Sequence, residues 1–388
     1  MEVEMMNELC VVTSSISTSP TSGLSRFVFN LCRGLIAESI QVKVCASHAT
    51  DSSLKEFNSL GITVSVLPKS GRPFYSALTR FNRIGKHLAG FADKEVKSPL
   101  YIVISDEAID FSRYLEHGKS AYISNGSWPL LFIDRSFHTS HRIIGRILSL
   151  DMSFMIRKDA LSASFYAHLF ANSNFTKQLF SFLYGIPFED VVYPPVNRAV
   201  FYPEGQNPRG DYILAIGRKG VAGREENVEL LEDIASKAPL KVVGGMEVPG
   251  AENLGIVKEE DLRKLLSNAS FLVSPVVKEY FGYTVAESLS CGTPVLAFDS
   301  SGPAEQILHG YNGWKTNNKK SFLSCADSIF HNGYSKDMRR NAALSAEWSA
   351  PLNTATLLAY KDPEKTSQND GSLEGAMTVR TRRRWQPE

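Results

Sequence analysis

The sequence predicts an α/β protein made of two doubly wound parallel-sheet domains, and three observations predict it. Short apolar, β-rich runs alternate with segments of helical period through the first half of the chain. A stretch rich in Pro and Gly between Pro194 and Asp211 interrupts this alternation. A second alternating series then begins at Tyr212.

The elements follow in order. Leu9 to Thr13 reads as a buried strand, and a Ser/Thr/Pro loop leads to a helix starting at Gly23, with Leu24, Phe27, Val28, Leu31 and Leu35 on one face. Gln41 to Ala46 and Ile62 to Leu67 are the next strands, and a basic amphipathic segment spans Phe74 to Ala89. Leu100 to Ile104 and Ser120 to Ser124 read as strands, and Phe137 to Phe170 has a helical pattern. Leu169 to Lys177 reads as a strand end feeding a helix capped by Ser or Asn. Val191 to Val196 is a strand that Pro194 and Pro195 terminate. This sets the first domain at residues 1–197 and the second at 198–347. In the second, strands are expected at Tyr212 to Gly217, Leu240 to Gly245, Ser270 to Val277 and Pro294 to Phe298. A turn at Asn312-Gly313 and helical stretches at Phe322 to Phe330, Lys336 to Ser345 and Thr354 to Tyr360 follow. Residues 363–388 turn polar and read as a disordered tail ending in an arginine cluster.

Composition excludes several classes of function. In 388 residues, 42 basic side chains against 41 acidic ones leave a formal charge of +1, which is no argument for nucleic-acid binding. Five cysteines without a C-x-x-C spacing fit a reduced cytoplasmic protein with no structural metal. The acidic start, Met1 to Glu8, does not read as a cleavable signal, and no run reaches the ~20 apolar residues that span a bilayer.

The chemistry concentrates in Lys278 to Phe298. An apolar strand leads to Glu279-Tyr280-Phe281-Gly282, a short helix carries Glu287, and Gly292-Thr293-Pro294 stops it. Such a unit aims a glycine loop and a helix N-terminus at one sheet edge, where unpaired N–H groups and the helix dipole favour a phosphate. Carboxylates at both ends of the loop, Glu279 and Glu287, add polyol recognition, and phosphate together with polyol is what a nucleotide-sugar presents.

These residues resemble the family 4 retaining glycosyltransferases of GT-B architecture. The resemblance rests on Glu279-x7-Glu287, on Cys291-Gly292-Thr293-Pro294 and on Gly302-Pro303-Ala304-Glu305, and Ile216-Gly217-Arg218 and Ala171 to Thr176 support it. It implies two facing Rossmann-like domains and a helix over 348–362 that crosses back to the first. It also implies hexose transfer from a UDP- or GDP-sugar to an acceptor hydroxyl, with retention and without a metal. By the same resemblance Glu279 meets the hydroxyls of the transferred sugar, and Phe281, Gly282, Tyr283 and Thr284 present amides to sugar and phosphates. Glu287 takes the ribose hydroxyls, Glu305 belongs to the donor site, Gly23 lies in the facing glycine loop, and Arg218 neutralises the departing diphosphate.

The chain departs from the family pattern in three places. Gly223 stands where a lysine is usual, which leaves Arg224, or Lys219, as the second phosphate partner. Asn125 stands where many members have a histidine, so only hydrogen bonding is available there. The first glycine loop is reduced to Ser22-Gly23. No Asp-x-Asp pair occurs, so no metal bridging the phosphates is expected.

Other readings stand beside these. Glu305 serves equally well as a helix cap, and the 74–89 segment reads either as a helix packed on the sheet or as a peripheral contact with the inner membrane face. His138 and His141 lack the partners of a metal site. A degenerate nucleotide-sugar-binding protein, or an epimerase or phosphorylase of the same fold, is the alternative to a transferase; the acceptor is unassigned.

Overall fold

The computed structural model describes residues 8–17, 23–68, 84–126, 152–205, 210–217 and 227–346. Arg218, Lys219, Arg224, the 74–83 part of the basic segment, His138, His141, the expected 348–362 helix and the tail lie outside them.

In the first half, strands β1 (Glu8–Ile16), β2 (Gln41–Ala49), β3 (Thr63–Val66), β4 (Leu100–Val103), β5 (Lys119–Ser124), β6 (His168–Ala171) and β7 (Asp190–Val191) pair in the order β3-β2-β1-β4-β5-β6-β7. Every pairing is parallel. Helices α1 (Gly23–Ala37), α2 (Asp51–Ser59), α3 (Gly85–Phe91), α4 (Phe111–Tyr114), α5 (Met152–Ala163) and α6 (Asn174–Tyr184) accompany this sheet. Alternation along β1 explains why both faces are covered: Val11 joins a core with Phe27, Leu31, Ile102 and Phe170, while Cys10 and Val12 join one with Tyr101, Tyr122 and Phe180.

The second half repeats the design. Strands β8 (Ile213–Gly217), β9 (Leu240–Gly244), β10 (Glu252–Gly255), β11 (Phe271–Ser274), β12 (Val295–Phe298) and β13 (Gly313–Thr316) run in the order β10-β9-β8-β11-β12-β13, again all parallel. Helices α7 (Val228–Ala235), α8 (Glu259–Asn268), α9 (Tyr283–Ser290), α10 (Ser301–Gln306), α11 (Lys319–Asn332) and α12 (Asp337–Ser345) go with it. Leu214, Leu272 and Val285 fill one side of the sheet, and Ile213, Val273, Leu296 and Phe322 the other.

Some expected boundaries move. The strand expected over Val191 to Val196 is reduced to Asp190–Val191, because Pro194 and Pro195 have no N–H to give a ladder. The helical pattern expected to reach Phe170 ends at Ala163, and His168–Ala171 pairs with β5 instead. Burial of Leu169 and Phe170 in the sheet overrides the local pattern there. In the described part of the basic segment, helix begins only at Gly85. Ser173, not Asn174, caps α6, its hydroxyl accepting from Thr176 N at 3.0 Å.

Candidate donor site

The C-terminal ends of strands from both sheets open onto one cavity of about 510 Å³. Ser14 and Ser15 of β1, Asp106 and Glu107 after β4, Asn125 and Gly126 after β5, and Asn172 after β6 line one side. Gly217 at the end of β8 and the run from Glu279 to Thr284 line the other, with Glu287. In open α/β sheets this carboxyl edge is where ligands bind, and the volume suits a small molecule.

Of the residues singled out from sequence, the fold brings Gly23, Asn125, Glu279, Phe281, Gly282, Tyr283, Thr284 and Glu287 to this cavity. Glu305 is not among its lining residues. Its carboxylate instead accepts from the backbone N–H of Asn174 at 3.0 Å and from the Tyr193 hydroxyl at 3.3 Å. It thus ties α10 to the first turn of α6 in the other domain. Burial raises the pKa of Glu305, and the hydrogen bonds from Asn174 and Tyr193 oppose that rise.

The loop from Glu279 to Gly282 is clamped from both domains. Gly282 precedes α9 with φ +91, a left-handed conformation, and no side chain caps the helix. A Cβ there would lie 2.9 Å from Pro303 Cγ. The first amides of α9 therefore face the cavity edge without a capping side chain, as an anion site requires. From the second domain, Ser301 Oγ accepts from Glu279 N at 3.4 Å, and the Gln306 amide donates to the Phe281 carbonyl. From the first, the Ser173 hydroxyl donates to the Tyr280 carbonyl at 2.6 Å. The Tyr280 ring stacks on Phe180, with centroids 6.2 Å apart, and lies beside Phe175 and above Gly126.

Glu287 is the most enclosed carboxylate of the cavity, with a side chain 1% exposed. It pairs with the Arg26 guanidinium from α1, across the cleft. Burial opposes the charge on Arg26, but Glu287 and then Glu259, whose carboxylate is 4.0 Å away, outweigh it and raise the guanidinium pKa. The guanidinium also lies 5.6 Å from the centre of the Tyr283 ring. Among the described lining residues Arg26 is the one cation, facing Asp106, Glu107, Glu279 and Glu287. Asp106 accepts a hydrogen bond from the buried Tyr122 hydroxyl, whose pKa burial and then Asp106 push up.

Sequence reasoning did not single out Arg26, Tyr280, Gly126 or the Asp106-Glu107 pair. The signal for Arg26 was its place one turn after Gly23 in the helix facing the cleft. Away from the cavity, Asp93, Glu116 and His117 cluster at the surface, where the Asp93 carboxylate accepts from the backbone N–H groups of Glu116 and His117. Among the described residues no helix is long and apolar enough to cross a membrane.

Residues 221–345 match the family model described as glycosyl transferases group 1. Sucrose synthase of Solanum tuberosum is 28% identical over 116 residues, which cover 28% of this chain and 14% of that protein. N,N'-diacetylbacillosaminyl-diphospho-undecaprenol alpha-1,3-N-acetylgalactosaminyltransferase of Campylobacter jejuni is 33% identical over 159 residues, covering 38% of this chain and 41% of that one. These matches thus span less than half of either relative. Among solved structures, Anabaena HepE in complex with UDP superposes with a TM-score of 0.67 at 13% identity, covering 91% of this chain and 98% of that one. Residues 221–345 of the chain thus resemble the group 1 glycosyltransferases, and its two parallel sheets share the fold of that solved structure.

Proposed function

We propose that the protein is a retaining glycosyltransferase that moves a hexose from a nucleoside diphosphate sugar, of UDP or GDP type, to an acceptor hydroxyl. The observation that carries this reading is the placement of Glu279 and Glu287 at the two ends of one glycine-started helix entry, both on a single cavity between the domains. Glu287 receives the ribose hydroxyls and Glu279 the hydroxyls of the transferred sugar. The amides at Tyr283 and Thr284 meet the diphosphate between them. Charge growing on the leaving diphosphate is offset by that helix end, by Arg218 after β8, and by Arg224 or Lys219. The lack of an Asp-x-Asp pair supports a metal-independent reaction.

The acceptor approaches from the first domain, where Asp106, Glu107 and Asn125 line the cavity. Glu279 and Glu287 are eight positions apart with a glycine loop between them, a spacing that favours transfer on one face of the sugar over double displacement. Acceptors in this reading are a glycan, a glycolipid or a small molecule, and the 74–89 segment offers peripheral contact with the inner membrane face for a lipid one.

The test is a thermal-shift series with UDP-, GDP- and ADP-sugars, followed by an assay of nucleoside diphosphate release with candidate acceptors. One of these donors should raise the melting temperature, and release should depend on acceptor. Absence of any shift overturns the reading.

A further inference from the structure

The ion pair between Arg26 and Glu287 gives the candidate donor site a member from the opposite domain. Glu287 is almost wholly enclosed, and a carboxylate taken out of water without a partner neutralises itself by binding a proton. Two vicinal ribose hydroxyls donate to a carboxylate best when it is ionised, because only then do both oxygens act purely as acceptors. The charged groups of this region come from several elements: Arg26 on α1 pairs with Glu287 and lies near Glu259 on α8, while Arg263 on α8 and Arg339 on α12 share Cys291 with Glu287 as a neighbour. The Tyr283 hydroxyl and the Cys291 thiol add neutral neighbours held protonated chiefly by burial. Of the three cations, Arg263 forms an ion pair with Glu204, and Arg339 donates to the carbonyls of Ser267 and Ala269. Arg26 is in direct contact with the Glu287 carboxylate.

We propose that Arg26 is a positioning residue of the donor site, holding Glu287 ionised and oriented for the ribose hydroxyls from across the cleft. This inference rests on the reading of the cavity as a nucleotide-sugar site. Its consequence is that ribose recognition, though built on the second domain, is complete only when α1 of the first domain is docked against α9. Arg26 acts through Glu287 and does not itself touch the nucleotide.

Calorimetric titration tests it with whichever of UDP, GDP and ADP binds the wild-type protein, and with its 2′,3′-dideoxy analogue, which lacks the diol. Wild type should prefer the full nucleotide by about a hundredfold to ten-thousandfold, the range of two hydrogen bonds to a charged group. Arg26→Gln should lose most of that preference at pH 7 and regain part of it by pH 9, as the carboxylate ionises without the guanidinium beside it. Arg26→Lys should restore an intermediate preference, and Glu287→Gln should abolish it at every pH. If Arg26→Gln does not fold, an unchanged preference in Arg26→Lys overturns the inference, and a reduced one supports it. Equal weakening of both nucleotides in Arg26→Gln overturns it in favour of a direct phosphate contact, and an unchanged preference also overturns it. Binding of none of the three nucleotides by wild type overturns the donor-site reading itself, a result distinct from the others.

Discussion

Arg26 and Glu287 stand 261 positions apart in the chain and meet as an ion pair between the two domains. Removing one partner of a buried pair leaves the other charge stranded, at a cost of about 3–5 kcal/mol. Arg26→Met should therefore lower the urea midpoint clearly, while adding Glu287→Gln to it recovers most of the loss. Additive single effects in that double-mutant cycle would mean the pair carries no coupling.

Gly126 faces the Tyr280 ring with φ +112, and an added Cβ would lie 2.0 Å from Tyr280 Cδ2. Gly126→Ala should cost about 1–3 kcal/mol in backbone strain alone. It should also displace the Glu279 to Gly282 loop, so nucleoside diphosphate release should fall more than stability predicts. Gly90 in α3 is the control: a Cβ there meets nothing within 4 Å. Gly90→Ala should stabilise by roughly 0.5–1 kcal/mol, as alanine does in a helix interior, and leave turnover unchanged. Equal turnover in both variants would separate Gly126 from the loop's geometry.

Glu305 joins α10 to the first turn of α6. Glu305→Ala should strand the Asn174 N–H and lower stability by about 1–3 kcal/mol in chemical denaturation. Since Glu305 is absent from the cavity lining, nucleotide affinity should change by no more than about twofold, well under the tenfold that 1.4 kcal/mol represents. A large loss of affinity with intact stability would instead make it part of the donor site.

Burial pushes the Cys45 and Cys291 thiols from an ordinary 9.0 up to about 12. The folded pKa is the higher one, so the unfolded chain loses its thiol protons first as pH rises. The stability these thiols contribute is complete below pH 9.0 and declines from there towards about 12. Each should contribute a slope of about 1.4 kcal/mol per pH unit in that window. Urea denaturation of wild type and Cys45→Ala between pH 8 and 10.5 checks this: the curves should run parallel below pH 9.0 and the variant's slope should be smaller by that amount above it, and curves parallel throughout would refute it.

Legibility differed between the two halves of the site. The Glu279 to Glu287 side of the cavity was readable because its residues are neighbours in sequence: Glu279, Gly282 and Glu287 sit within one strand, loop and helix unit whose apolar runs and glycines announce it. The first-domain side was readable only at Gly23 and Asn125, since Ser14, Asp106 and Asn172 come from separate strand ends and carry no shared spacing. Glu305 shows the difference in one residue. A motif placed it near the site, and the packing of α10 on α6 gave its carboxylate a backbone N–H to bond.

By itself the sequence determined the two parallel sheets and the strand, loop and helix unit that carries Glu279 and Glu287. Alternating apolar runs, helical periods and glycine stops act over ten to twenty residues, within the reach of local preference and burial. Only the tertiary structure decided which residues face each other across the cleft. Arg26 against Glu287 and Tyr280 over Gly126 join parts of the chain with no common period, and burial and charge pairing give them meaning only after both domains have formed and met.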